Sequence, residues 1–292
     1  MAFIWGIPYL FIKIAVGELT PATLVFLRAV IGTVLLLPLA AARSELAPLV
    51  RQWKWIVIYT LVEVAVPWFL LSDAERRISS SLTGLLLAAV PSIGAVLAVF
   101  AGGHDRLDSR RIGGLALGFF GVAALVGLDV RADDLGAIGQ VGLVALGYAI
   151  GPMIIERKLK GLPTLGVVAA SLGLTALGYA PVALTQLPAT LPSTSVLFAV
   201  AVLGVVCTAT AFIVFFALVA EVGAPRATVI TYVNPAVALA LGVALLGEPF
   251  TLGIAIGFVL IVLGSVLATR RASPSKSASL TEERPRPVRS SE

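Results

Sequence analysis

Lys13, Arg28 and Glu63 stand well inside long apolar runs of the sequence, where a charge is costly. At the centre of a bilayer an ionised side chain costs about 2.5 to 3.5 kcal/mol on insertion scales, so such residues face an interior cavity or one another. An acid such as Glu63 on a cavity wall can take a coupling proton or hold a substrate amine, and Lys13 or Arg28 can engage a carboxylate. A structural account competes: Glu63 paired with Lys13 or Arg28 to fix helix packing, or either cation snorkelling its head to the membrane edge. Further polar candidates precede Pro235, where Thr231, Tyr232 and Asn234 offer hydroxyl and amide groups to a substrate or to the carbonyl that a proline leaves without a donor. Trp5, Trp68 and Tyr148 are aromatic candidates for an apolar pocket suited to aromatic or aliphatic amino acids, with ordinary helix packing as the alternative. Trp53 and Trp55 read as anchors at headgroup depth.

Other chemistries lack their residues. His104 and Cys207 are the only histidine and cysteine, which excludes an internal disulfide and speaks against a His/Cys metal site; no metal and no cofactor is expected. No GxxxxGK[ST] phosphate loop is present, and no nucleophile, base and acid set lies within an apolar run, so neither direct use of ATP nor an enzyme is expected. A net charge of +5 raises nucleic acid as a partner, but the basic residues sit in short clusters between apolar runs, as in membrane loops. No nucleic-acid partner is expected.

The elements that must position these groups are membrane spans. With 59% hydrophobic and 13% charged residues, one water-soluble core would leave most of the apolar surface wet. Apolar runs fall at about 1–16, 21–41, 55–72, 79–101, 112–128, 135–155, 165–184, 196–219, 227–246 and 252–268. About 20 residues cross a hydrocarbon core roughly 30 Å thick. The run at 1–16 is short for a crossing, so the first span is truncated or sits shallow, and it lacks the basic n-region and cleavage site of a signal peptide. Residues 269–292, rich in Ser, Pro, Arg and Glu, read as a disordered tail.

If the N-terminus is cytoplasmic, the inner connections hold Arg43, Arg51, Lys54, Arg106, Arg110, Arg111, Arg157, Lys158, Lys160 and Arg226, and the outer ones only Arg76, Arg77 and Arg131. This asymmetry predicts both termini in the cytoplasm of a cell membrane, plasma or inner. The chain also repeats. Pro235 follows Pro91 by 144 residues and Glu248 follows Asp105 by 143, each Pro lying in an apolar run that ends at a glycine and an acid. Five spans per copy is odd, so the second copy enters the membrane from the opposite side. The expected fold is an all-α integral membrane protein of ten transmembrane helices in two inverted five-helix repeats, 1–128 and 135–268. Pro91 and Pro235 are then paired kinks or hinges near the cavity. Gly114-x-x-x-Gly118 and Gly253-x-x-x-Gly257 suit close helix approach, within the chain or across a homodimer.

These residues carry a family resemblance. The Trp5-Gly6 opening followed by Lys13, the stretch from Pro21 to Arg28, and the segment from Asp105-Arg106-Leu107 to Gly114 and Gly121 resemble the first repeat of the EamA family of the drug/metabolite transporter superfamily. The segment 220–249, with Tyr232, Asn234-Pro235 and Gly247-Glu248-Pro249, resembles the end of its second repeat, and Gly257 to Gly264 continues the pattern. His104-Asp105 stands where that family more often has Gly-Glu. The resemblance implies ten helices, an inverted repeat and passage of amino acids or other small metabolites through a central cavity. The expected function is secondary active export of such a substrate by alternating access, driven by protons or another gradient. A transporter of sugars, nucleotide-sugars or phosphorylated metabolites, and a membrane scaffold or sensor without transport, are the alternatives.

Overall fold

The computed structural model describes residues 1–100, 109–129, 132–222 and 233–269, which form helices and, among the described residues, no strand. Two short helices, α1 (Ala2–Gly6) and α2 (Pro8–Ala15), open the chain; Pro8, which lacks a backbone donor, starts the second. Then come α3 (Pro21–Ala42), α4 (Ala47–Ala74), α5 (Ser80–Leu87), α6 (Val90–Phe100), α7 (Ser109–Asp129), α8 (Leu135–Lys158) and α9 (Thr164–Thr185). The next, α10, runs from Thr194–Ala201 through a π-helical stretch at Val202–Thr210 into Ala211–Val222. It is followed by α11 (Asn234–Leu246) and α12 (Leu252–Thr269). Among the described residues, eight stretches are long and apolar enough to cross a membrane, with α5 and α6 counted as one; Phe3–Ala15 and α11 are shorter apolar helices. Each apolar run read from the sequence falls on one of them, the run at 227–246 only over its described part. The tail from residue 270 lies outside the described residues.

Local chemistry sets the ends. Thr20 caps α3, its hydroxyl accepting from Thr23 N at 3.3 Å, with Pro21 in the first turn where a missing N–H costs nothing. Ser79 caps α5, accepting from Leu82 N at 3.1 Å. At the other end of α11, Gly247 takes φ +66°, a left-handed turn that glycine adopts without penalty, and Glu248 N closes back on Gly242 O at 3.1 Å. Pro249 follows where no helix can continue.

Inside the bundle, glycines let backbones meet. On α7, a methyl at Gly114 would stand 2.5 Å from the amide of Ala268, and one at Gly121 would stand 2.8 Å from that of Ile261, both on α12. The glycine pattern therefore serves contact within the chain. Gly6 lies under Val237 of α11, and Gly84 of α5 lies under Ala238.

Polar contacts gather the connections at two ends. At one end Glu18 accepts from Ser193 N at 2.8 Å, Thr20 donates to Gln186 at 2.7 Å, and Gln140 donates to Asp73 at 2.9 Å. The connections at Lys13–Ile78 and Ser80–Glu248 belong to this end too. At the opposite end Glu45 accepts from Gly166 N at 3.0 Å, and the Lys158 ammonium stands 4.8 Å from the Trp55 ring. Trp53, with Lys54 5.9 Å from its ring, is exposed there, in keeping with an interfacial anchor.

In the described residues each proline lies in the first turn of a helical segment. The helix through Pro91 is interrupted at Ala88 and Ala89, whose amides turn back to Leu85 and Leu86 in tight three-residue steps of 3.1 Å. Pro91 lies in the first turn of α6, and the Ala88 carbonyl accepts from Ser265 Oγ of α12 at 2.7 Å. The freed backbone is thus satisfied by protein, as lipid demands. Pro235 sits in the first turn of α11 rather than at mid-helix of the described segment.

Candidate functional site

The site begins with two interruptions of helical winding. A π-helical stretch, in which one turn carries an extra residue, marks helices where side chains are re-aimed and is common at functional positions. One covers Thr60–Ala65 in α4; the other is Val202–Thr210 in α10. Moving the first by the repeat offset of 143 places it at 203–208, inside the second.

The α10 stretch presents Thr208. Its hydroxyl donates to Leu203 O, five residues back, at 2.8 Å, which leaves a lone pair to accept from Arg28 Nε at 2.9 Å. Arg28, on α3, is buried with 8% of its surface exposed, and its guanidinium lies 3.7 Å above the ring of Trp68 on α4. Stacking a desolvated guanidinium on tryptophan is worth about 2 kcal/mol, which offsets part of its burial cost. A guanidinium carries five N–H groups. One of them is used here, and no carboxylate pairs with Arg28 among the described residues. Around it stand Cys207, Tyr148, Tyr9 and Glu75, the groups that act on its charge.

The α4 stretch presents Glu63. Its carboxylate packs on the backbone of Gly151 in α8, whose missing side chain makes the room, and Oε2 is buried with no hydrogen-bond partner among the described residues. Tyr148, one turn from Gly151 on α8, stands within electrostatic reach of both Glu63 and Arg28.

The ion pair of the competing structural account is not formed among the described residues. Arg28 turns to Trp68 and Thr208, while Lys13 donates to the carbonyls of Glu75 at 2.5 Å and Ile78 at 2.8 Å. Lys13 therefore caps the C-terminal end of α4, where helix carbonyls lack donors and the dipole favours a cation. Lys13 thus reaches backbone carbonyls of a connection at one end of the bundle, while Arg28 stays among side chains inside it. Trp68 and Tyr148 join the Arg28 group as aromatic walls, but Trp5 does not; its ring meets Phe215 at 4.7 Å and Phe212 at 6.4 Å, on α10. Asn234 is the first residue of α11 and half-buried, its carbonyl 3.1 Å from where a Gly6 methyl would be. Thr231 and Tyr232 lie outside the described residues.

Sequence reasoning missed Tyr9, Thr208 and above all Glu75. Glu75 is fully buried at 0% exposure, and among the described residues both its carboxylate oxygens lack hydrogen-bond partners. It hides in the run Ala74-Glu75-Arg76-Arg77, which reads as a polar connection. One signal was available: at the offset of 143 Glu75 falls on Leu218, inside the apolar run of α10.

Comparison with known proteins agrees with this architecture. The model of the EamA-like transporter family matches twice, at residues 1–127 and 137–270. The "Uncharacterized transporter YvbV" of Bacillus subtilis (strain 168) is 23% identical over 96% of this chain and 92% of its own. The "Uncharacterized inner membrane transporter YedA" of Escherichia coli (strain K12) is 26% identical over 90% of this chain and 89% of its own. A solved crystal structure matches with a TM-score of 0.66 at 22% identity, over 92% of this chain and 94% of that one, and so shares the fold. This multi-pass membrane chain belongs to the EamA-like transporter family.

Proposed function

We propose that the chain exports amino acids or other small metabolites as a gradient-driven secondary transporter of the inner membrane, with both termini cytoplasmic. Ten spans in two inverted five-helix repeats, 1–128 and 135–268, would alternate access to a site between them. Support for the repeat comes from the double family match and the two π-helical stretches at one offset.

The carrying observation is Arg28, a buried guanidinium with, among the described residues, four N–H groups to spare and no carboxylate paired to it. Its fork matches a substrate carboxylate in two parallel bonds. Glu63, near Tyr148, suits the amine of the same molecule, and Trp68, Tyr148 and Tyr9 suit an apolar side chain. A guanidinium and a carboxyl group near one aromatic ring favour a zwitterion over a phosphorylated or neutral sugar.

The test is efflux from cells expressing the protein, challenged with phenylalanine, leucine and their toxic analogues. Arg28→Gln is expected to lower efflux at least tenfold at equal membrane abundance, since a lost charge-assisted pair is worth about 1.5 to 3 kcal/mol. Arg28→Lys keeps the charge but loses the fork and the Trp68 stack, and is expected to fall between. Efflux by Arg28→Gln at the wild-type rate would refute the site. Export of phosphorylated compounds alone would transfer Arg28 to the phosphate-transporter alternative, and no movement of any compound would favour a scaffold.

A further inference from the structure

We infer that Glu75 is a proton-binding site of this chain, carrying a proton in the conformation described here and exchanging it with water at the membrane face where Lys13 and Glu248 stand. Its part in transport rests on the transporter reading above; its protonation does not.

Glu75 stands in the connection just past the end of α4, yet no part of it reaches solvent. An ionised carboxylate accepts up to four hydrogen bonds, and burying one that accepts none is far more costly than burying the neutral acid. Among the described residues, neither Glu75 oxygen accepts any. The charged and titratable groups around it come from several elements: Lys13 and Tyr9 from α2, Arg28 from α3, Tyr148 from α8, and Glu248 from the connection after α11. Glu248 is held by the first turn of α5, accepting from Ser80 N at 2.7 Å and Ser81 N at 2.9 Å. Its negative charge opposes a second one on Glu75. Lys13 favours an ionised Glu75, but its ammonium is occupied by two backbone carbonyls. Burial prevails over the pull of Lys13 and holds the Glu75 carboxyl well above the usual carboxylate range. On its own helix the neighbouring charges are turned elsewhere: Asp73 pairs with Arg76 at 3.7 Å and accepts from Gln140.

The step is a simple acid dissociation. The carboxyl O–H bond breaks, its electron pair stays on oxygen, and the proton passes to water, with nothing oxidised or reduced. The carboxylate left behind is balanced by Lys13, if the ammonium leaves the Glu75 and Ile78 carbonyls, and by Arg28 from deeper in the bundle. Because Arg28 also faces the substrate site, proton and substrate change each other's affinity, which is the requirement for coupling.

Two measurements decide it. Infrared spectra of the purified protein in lipid nanodiscs at neutral pH, without any substrate, are expected to show a protonated-carboxyl band that loses intensity equal to one carboxyl in Glu75→Gln. An unchanged band would mean that Glu75 is ionised, and would overturn the inference whatever the protein transports. In proteoliposomes loaded with phenylalanine or leucine, Glu75→Gln is expected to keep equilibrium exchange of the labelled amino acid within about twofold, while transport driven by a pH gradient falls at least tenfold. Retention of gradient-driven transport at the wild-type rate, or loss of both modes in a variant of unchanged thermal stability, would overturn the coupling role. If the wild type moves neither amino acid, the substrate reading fails and the infrared result alone decides whether Glu75 holds a proton.

Discussion

Gly264→Ala is expected to cost about 3 kcal/mol of stability, at the upper end of what an extra buried methylene costs in a close-packed interior. The reason is what the methyl would meet. At Gly264 it would stand 2.6 Å from the carbonyl oxygen of Gly114 and 2.8 Å from Cα of Gly118, and closer still to the Gly118 amide nitrogen. These are backbone atoms of α7, which cannot rotate away as a side-chain tip can, so α7 and α12 would have to separate. In lipid, helices associate through close packing and hydrogen bonds, because the tails around them are as apolar as leucine. Separation forfeits dispersion contacts along the whole seam, including the methyl-tight contacts at Gly114, Gly121 and Gly257. Gly264→Val should be worse, with little folded protein recovered. Gly113→Ala on the same α7 is the control: nothing lies within 4 Å of its position, and no loss is expected. Thermal denaturation of the purified proteins in one detergent gives the comparison. Equal midpoints for Gly264→Ala and Gly113→Ala would refute the seam as a determinant of the fold.

Most of the architecture was legible, because a bilayer permits few ways to satisfy a backbone and the length of an apolar run follows from membrane thickness. The ends of α3, α8 and α9 fall within a few residues of the expected runs for that reason. The site was legible only in its residue types. Arg28, Glu63, Trp68 and Tyr148 are identifiable as charges and aromatics within apolar runs, and they do converge on one region. Their partners are not identifiable, since those are backbone groups and a hydroxyl: Thr208 takes Arg28, two carbonyls take Lys13, and the backbone of Gly151 takes Glu63. Opposite charges suggested a pair; the local geometry of two π-helical stretches directed them elsewhere. Glu75 shows the complementary failure. Hydropathy sees it beside Arg76 and Arg77 and assigns it to water, whereas the fold brings the start of the 75–79 connection under Lys13 and into the bundle.

The acid of Gly247-Glu248-Pro249, which the sequence offered only as a landmark of repetition, carries the second large effect. Gly247 ends α11 in a left-handed turn and so points Glu248 across to another helix, α5. There Oε1 accepts from Ser80 N, and Oε2 accepts from Ser81 N and the Ser81 hydroxyl. Ser79 accepts from Leu82 N, so the first three amides of α5 are all satisfied, two of them by a residue 167 or more positions away. A carboxylate also sits well against the positive end of the helix dipole. Glu248→Ala would leave two amides and a hydroxyl without their acceptor, at about 1 to 3 kcal/mol for each group that water cannot reach. The expected loss is about 4 kcal/mol, lowered by whatever solvent enters. Glu248→Gln keeps one carbonyl oxygen and is expected to lose about half as much. Because α11 is the partner of α1 at Gly6 and of α5 at Gly84, the damage should spread to both contacts. Cysteine accessibility at Ser80 should rise in Glu248→Ala and stay low in Glu248→Gln. Equal stability and equal labelling in the two variants would mean that the carboxylate does not hold α5 to α11, and that glycine packing alone joins them.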